Sequence, residues 1–138
     1  MIILDTNVIS QIMSPQGSPK VLGWLDRQSL SACWMTAVSA MEVRYGLEML
    51  PEGRKKLRYA EHWLAIWDAL AGRCLPFDGA AADIAGRLAA LRARRGVTID
   101  TNDTQIAAIA ISRNATIATR NLKHFPDLPV AVIDPWSL

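Results

Sequence analysis

Short apolar runs alternate along this chain with longer segments in which apolar residues recur at helical spacing. The runs occupy residues 1–4, 32–36, 74–77, 115–119 and 130–133, and each predicts a strand. Because these runs are continuously apolar rather than alternating, they are typical of strands buried on both faces of a parallel sheet. Helical spacing and capping residues predict a short helix from near Asn7 and further helices over 19–28, 39–50, 54–71, 79–95 and 104–112.

The order of these elements predicts a three-layer α/β/α sandwich with a central parallel sheet. The composition agrees, since the chain has 138 residues, of which 51% are hydrophobic and 20% charged. This is the usual size of one folded globular domain. We therefore expect a single domain over residues 1–138, with no linker and no repeat.

Several classes of protein are excluded by the sequence. No run of about 18 uncharged apolar residues is present, which argues against a transmembrane helix. The start, MIILDT, lacks the basic region and long apolar stretch of a signal peptide. Cys33 and Cys74 lie in apolar runs without metal-ligand spacing, which favours small buried side chains over a zinc site. We expect a cytoplasmic protein that does not associate with a membrane.

The charge of the chain gives little information about its partners. The formal charge is +2 and the sequence pI is about 8.7, which does not by itself indicate nucleic-acid binding. Arg92, Arg94 and Arg95 form the one dense basic cluster. Their place at the end of a predicted helix favours a solvated last turn, where cations complement the helix dipole.

Carboxylates stand where the chemistry of a parallel sheet is usually found, beyond the carboxyl ends of its strands. Asp5 directly follows the first predicted strand, although it is equally suited to cap the helix that begins near Asn7. Asp100 and Asp103 precede the apolar helix at 104–112. They are suited to cap that helix and to lie in its first turn, or to share one face as ligands.

Glu42 is harder to explain as an ordinary surface residue. Its helical neighbours include Val38, Tyr45 and Met49, which suggests a mostly apolar face. No Lys or Arg stands three or four residues away to pair with it. Asp5, Glu42 and Asp103 come from different elements that a parallel sheet brings together. Three carboxylates in one cleft repel each other unless a cation neutralises them.

Oxygen ligands of this kind suit a hard cation such as Mg²⁺ or Mn²⁺. An acidic cleft holding such a metal is suited to the hydrolysis of phosphodiester bonds, because the metal generates a nucleophile and stabilises charge on the phosphate. The sequence contains no Ser–His–Asp set, glycine-rich phosphate loop or GxSxG motif that would favour another chemistry.

Four segments of the chain are distinctive when taken together: MIILDTNVIS, SAMEVRYGLEML, IDTNDTQIAAIA and ATIATRNLKHFPDLPVAVIDPW. They resemble the PIN domain family, in particular the VapC toxins of toxin–antitoxin pairs and their FitB-like branch. The resemblance covers essentially the whole chain. It implies an α/β/α PIN fold and an Mg²⁺- or Mn²⁺-dependent endoribonuclease that cuts RNA, often tRNA or rRNA. It also implies a homodimer and a VapB-like antitoxin that neutralises the toxin in a heteromeric complex.

The resemblance also assigns roles to individual residues. It makes Asp5, Glu42 and Asp103 the catalytic acids and the metal ligands. The residues expected to support them are Thr6, Asn7, Asp100, Thr119 and Asn121. This chain departs from the family at the fourth acid, because Asn121 and His124 stand at the two places where relatives often carry Asp. The number of metal ions therefore stays open, with Asp100 as a possible source of the missing charge.

Two further questions remain open at the level of sequence. Arg120, Arg92 and Arg95 are hypothetical contacts to the RNA backbone, where phosphate charge would dominate binding. The alternative to an enzyme is a PIN-like module that binds RNA or protein without cleaving, since the fourth acid is missing. A phosphotransfer domain with Asp5 as nucleophile is less suited, because such sites usually carry a second acid where this chain has Asn7.

Overall fold

The central sheet of the computed structural model is parallel throughout. The structure describes residues 1–126 and 128–138, and within them the strands are β1 (Ile2–Leu4), β2 (Cys33–Thr36), β3 (Cys74–Leu75), β4 (Thr116–Ala118) and β5 (Ala131–Ile133). Their order in the sheet is β3-β2-β1-β4-β5. The predicted strands are confirmed in place and are slightly shorter than predicted. β3 ends before Pro76, which has no N–H for a strand ladder.

The helices also occur where the sequence predicts them. They are α1 (Thr6–Met13), α2 (Pro19–Asp26), α3 (Ala37–Met49), α4 (Arg54–Ala69), α5 (Gly79–Arg94) and α6 (Thr101–Ser112). Two of them begin earlier than predicted because a side chain caps the helix at the preceding residue. Thr36 Oγ1 accepts from the Ser39 N–H at 3.0 Å, and Asp100 Oδ1 accepts from the Asn102 N–H at 3.0 Å. None of the helices in the described ranges is long and apolar enough to cross a membrane.

Two apolar cores lie on opposite faces of the sheet. Helices α1 to α4 supply most of one core and α5 with α6 supply most of the other. Consecutive residues of β1 show the arrangement, since Leu4 belongs to the first core and Ile3 to the second. Both faces of the strands are therefore buried, which explains their continuously apolar sequence. The predicted α/β/α sandwich is confirmed.

The strand order determines which loops meet at the carboxyl edge of the sheet. β1 lies between β2 and β4. The chain adds β2 and β3 on one side of β1 and later adds β4 and β5 on the other side. Crevices at such reversals are the usual ligand sites of parallel α/β sheets. Asp5 follows β1 and Thr119 follows β4, and the Asp5 N–H donates to the Ala118 carbonyl at 3.0 Å.

Candidate active site

Asp5 is a buried carboxylate at the end of β1 that also caps helix α1. Its Oδ1 accepts from the Thr6 N–H at 2.8 Å, and its Oδ2 accepts from the Thr119 hydroxyl at 2.6 Å. Both interpretations that the sequence left open for Asp5 therefore have a structural basis. One oxygen caps the helix, while the other faces the end of β4.

Thr119 is the centre of a small hydrogen-bond network at this edge. Besides donating to Asp5, its Oγ1 accepts from Asn7 Nδ2 at 3.2 Å and from the Asn121 N–H at 3.0 Å. Asn7 Oδ1 in turn accepts from the Arg120 N–H at 3.3 Å. These bonds join α1 to the segment after β4. They bring together the predicted supporting residues Asn7, Thr119 and Asn121, although Asn121 contributes its backbone N–H to this network.

Glu42 lies half-buried on α3 and is tied to the Asp5 region through Thr6. Its Oε1 accepts from the Thr6 hydroxyl at 2.8 Å. The apolar neighbours of Glu42 are only partly buried, since Val38 is in the core while Tyr45 and Met49 are each 67% exposed. Glu42 reaches the site because it faces the first residue of α1.

Asp103 lies in the first turn of α6 and is only 9% exposed. Its Oδ2 lies 2.5 Å from Nδ1 of His124. His124 belongs to a short 3₁₀ turn, Leu122–His124, that follows β4. The sequence pointed to His124 only through the resemblance, as the residue at one of the two places where the family often carries Asp. Asn102 was also missed, although its side chain lies near enough to the Glu42 carboxyl to lower the pKa of that group.

The three carboxylates share one electrostatic environment. Burial raises the pKa of each of Asp5, Glu42 and Asp103. Mutual repulsion acts in the same direction, since Asp103 raises the pKa of Asp5 and Glu42 raises that of Asp103. Hydrogen bonds from Thr119 and Thr6 oppose the rise in the pKa of Asp5. The fold thus gathers negative charge that it only partly compensates by itself.

The donor chemistry of this cluster fits a hard divalent cation. Its principal ligand candidates are carboxylate oxygens, which Mg²⁺ and Mn²⁺ prefer. A cation would relieve the repulsion that raises these pKa values. Among the described residues, no three His, Cys, Asp or Glu side chains are grouped closely enough to enclose an ion as they stand. The carboxylates are therefore within electrostatic range of each other without forming a closed ligand cage.

The remaining predicted site residues lie around the rim. Asp100 is exposed and caps α6, and its charge raises the pKa of Glu42 and of Asp103. Arg120 is exposed, with its guanidinium carbon 5.4 Å from the centre of the Trp136 ring. Arg95 is exposed at the end of α5. Contact of Arg120 or Arg95 with RNA stays a prediction.

The environment of Arg92 differs from the one that the sequence predicts. It is only 7% exposed, so a solvated last turn is wrong for this residue. Its Nη1 donates to the Thr104 hydroxyl at 3.0 Å and its Nη2 donates to the His124 carbonyl at 2.7 Å. The side chain turns inward between α5, α6 and the 3₁₀ turn, which removes it from the surface contacts proposed for RNA.

Comparison with known proteins gives a consistent result. The profile of the family described as "PIN domain" matches residues 2–130. The chain is 38% identical over 137 residues to Toxin FitB of Neisseria gonorrhoeae (strain ATCC 700825 / FA 1090), covering 99% of both chains. It is 34% identical over 138 residues to VapC ribonuclease Y4jK of Sinorhizobium fredii (strain NBRC 101917 / NGR234), again covering 99% of both.

Comparison with solved structures also finds a similar fold over the whole chain. The crystal structure of FitAcB from Neisseria gonorrhoeae contains a chain that matches with a TM-score of 0.92 and 38% identity, with all of both chains covered. The similarity therefore extends over every element of the fold, including those that carry the carboxylates.

Proposed function

This chain belongs to the PIN domain family, and from that premise we propose that it is an endoribonuclease toxin of the VapC type. The observation that carries the proposal is the grouping of three carboxylates at the carboxyl edge of the sheet, with Asp5 and Asp103 buried and Glu42 half-buried. The full-length relatives named as a toxin and as a VapC ribonuclease support it.

In this proposal Asp5 and Asp103 hold Mg²⁺ or Mn²⁺ directly, and Glu42 ligates the metal or orients the attacking water. When bound, the metal supplies an activated water and stabilises charge on the phosphate oxygens. The Thr119 hydroxyl orients Asp5 and favours its ionised form, which is the form that binds a cation. Asn7 and the Asn121 N–H keep the Thr119 hydroxyl directed at Asp5.

The partners follow from the same class of protein. We propose that a VapB-like antitoxin neutralises this toxin in a heteromeric complex and that the toxin forms a homodimer. The substrate proposed is tRNA or rRNA, so the protein would act in the cytoplasm. Exposed Arg120 and Arg95 are proposed to contact the RNA backbone, and their contribution should weaken as salt is raised.

Cleavage of RNA by the purified toxin, freed of antitoxin, tests the proposal. Total bacterial RNA is incubated with Mg²⁺, with Mn²⁺ or with a chelator, and the fragments are separated. Asp5→Asn keeps the size of the side chain and removes its charge. Asp83→Asn is the matched control, since Asp83 is an exposed partner of Arg87 on α5. We expect discrete fragments from the wild type and Asp83→Asn only, and only with metal. Wild-type activity in folded Asp5→Asn, or cleavage in chelator, would refute the proposal.

A second candidate function is RNA or protein binding without cleavage. It is favoured by Asn121 and His124, which stand where relatives often carry a fourth acid. In the same experiment, this alternative predicts that wild-type protein binds RNA in the presence of divalent metal and leaves it intact. Gel retardation of the uncut RNA distinguishes it from an inactive preparation.

A further inference from the structure

The guanidinium of Arg92 bridges three elements beside the carboxylate cluster. It is buried, and it donates to the Thr104 hydroxyl on α6 and to the carbonyl of His124. The Thr104 hydroxyl in turn donates to the Asp100 carbonyl at 3.2 Å. Arg92 therefore joins the last turn of α5 to the first turn of α6 and to the 3₁₀ turn after β4.

A buried cation at this position has an energetic cost. Burial lowers the pKa of Arg92, with the charge of Asp103 acting in the opposite direction. Removing an ion from water costs several kcal/mol, and an apolar side chain of similar length often packs as well or better. An apolar residue would not hold the His124 carbonyl, so this hydrogen bond distinguishes Arg92 from a simple packing residue.

His124 is held from two sides. Arg92 binds its main-chain carbonyl, and its ring Nδ1 lies 2.5 Å from Asp103 Oδ2. Fixing the main chain restricts where the ring can reach, and the ring then restricts the orientation of the Asp103 carboxylate. Hydrogen bonds outside the ligand set commonly orient metal ligands in this way. We propose that Arg92 is a positioning residue that acts through His124 on Asp103; the metal in this inference rests on the proposed function.

The first measurement uses metal-free protein and is independent of any catalytic activity. In ¹⁵N-labelled protein, we expect the His124 ring N–H to be protected from exchange by its hydrogen bond to Asp103. Arg92→Met should lose this protection. Arg87→Met is the matched control, because Arg87 lies on the same helix but its side chain is 81% exposed. It should leave the His124 signal unchanged.

The second measurement is the affinity for Mn²⁺, determined by titration calorimetry. Arg92→Met should weaken binding by roughly 10-fold or more, the usual effect of losing an outer-shell partner, and Arg87→Met should not. If Arg92 acts through His124, its effect should largely disappear in a His124→Ala background. This non-additivity separates positioning from a general loss of stability.

Two results would overturn the role proposed for Arg92. A protected His124 ring proton in Arg92→Met would overturn it, as would additive effects of Arg92→Met and His124→Ala on Mn²⁺ affinity. If Arg92→Met does not fold, Arg92→Lys decides, since its shorter side chain with one ammonium does not reproduce the two-pronged contact. If the wild type binds no Mn²⁺, the proposed function fails, while the ring-proton measurement still decides the role of Arg92.

Discussion

Thr119→Val removes one hydroxyl from the centre of the Asp5 network and leaves the shape of the side chain nearly unchanged. In the wild type, this hydroxyl donates to Asp5 Oδ2 at 2.6 Å and accepts from Asn7 Nδ2 and the Asn121 N–H. A hydrogen bond to a charged group contributes roughly 1.5–3 kcal/mol. Asn7 and Asn121 are half-buried, so water can replace part of the hydrogen bonding that they lose with the Thr119 hydroxyl.

We therefore expect Thr119→Val to lower the free energy of unfolding by about 2–3 kcal/mol at neutral pH. For a chain of this size, this corresponds to a melting temperature lower by roughly 5–10 °C. The loss should become smaller on acidification, because the hydroxyl favours ionised Asp5 and its removal raises the pKa of Asp5 further. Once Asp5 is protonated in both proteins, only a neutral hydrogen bond, about 1 kcal/mol, separates them.

Thermal unfolding of metal-free protein across a pH series measures this effect. Thr119→Ser is the control, since it keeps the hydroxyl and loses only a buried methyl group, at about 1 kcal/mol. The reasoning is refuted if Thr119→Val changes stability by less than about 0.5 kcal/mol at neutral pH. It is equally refuted if the difference in the free energy of unfolding between Thr119→Val and Thr119→Ser does not depend on pH.

Two further predictions concern stability. Burial raises the pKa of Asp103 in the folded protein above its ordinary value of 3.8. The stability that protonated Asp103 contributes is therefore fully present below pH 3.8 and is lost as the pH rises through the raised pKa. Asp103→Asn should therefore make metal-free protein more stable than the wild type near neutral pH. It should also abolish stabilisation by Mn²⁺. Equal melting temperatures of metal-free wild type and Asp103→Asn at neutral pH would contradict the first expectation. Gly17→Ala should destabilise by about 1–3 kcal/mol, because the added Cβ would lie 2.2 Å from the Gln11 carbonyl oxygen. Denaturant unfolding checks it, with Gly46→Ala, which meets no close atom, as the control.

The sequence alone determines the layers of this fold and the residue types at its site. Apolar runs such as the one ending at Leu4 are continuous because a residue on either face of the sheet is buried, so the runs indicate a parallel sheet without any tertiary information. A carboxylate directly after such a run lies at the carboxyl edge, which made Asp5 a site candidate. Asp100 was a cap candidate from the sequence and does cap α6, whereas the cap at Thr36, which starts α3 two residues earlier, was not predicted.

The tertiary structure decides which of these residues meet. The order of the strands places β4 beside β1 and so brings Thr119 to Asp5 across 114 residues of sequence. On α5, Arg92 continues the buried stripe of Ala81, Ala85 and Leu88, whereas Arg95 lies beyond it and is exposed. The partners of the Arg92 guanidinium, Thr104 and the His124 carbonyl, depend on the packing of α5 against α6 and the turn after β4. The contact of His124 with Asp103 has the same origin. Local patterns fix the faces of helices and strands, but a contact between distant segments exists only once the strand order and the packing of helices have been set.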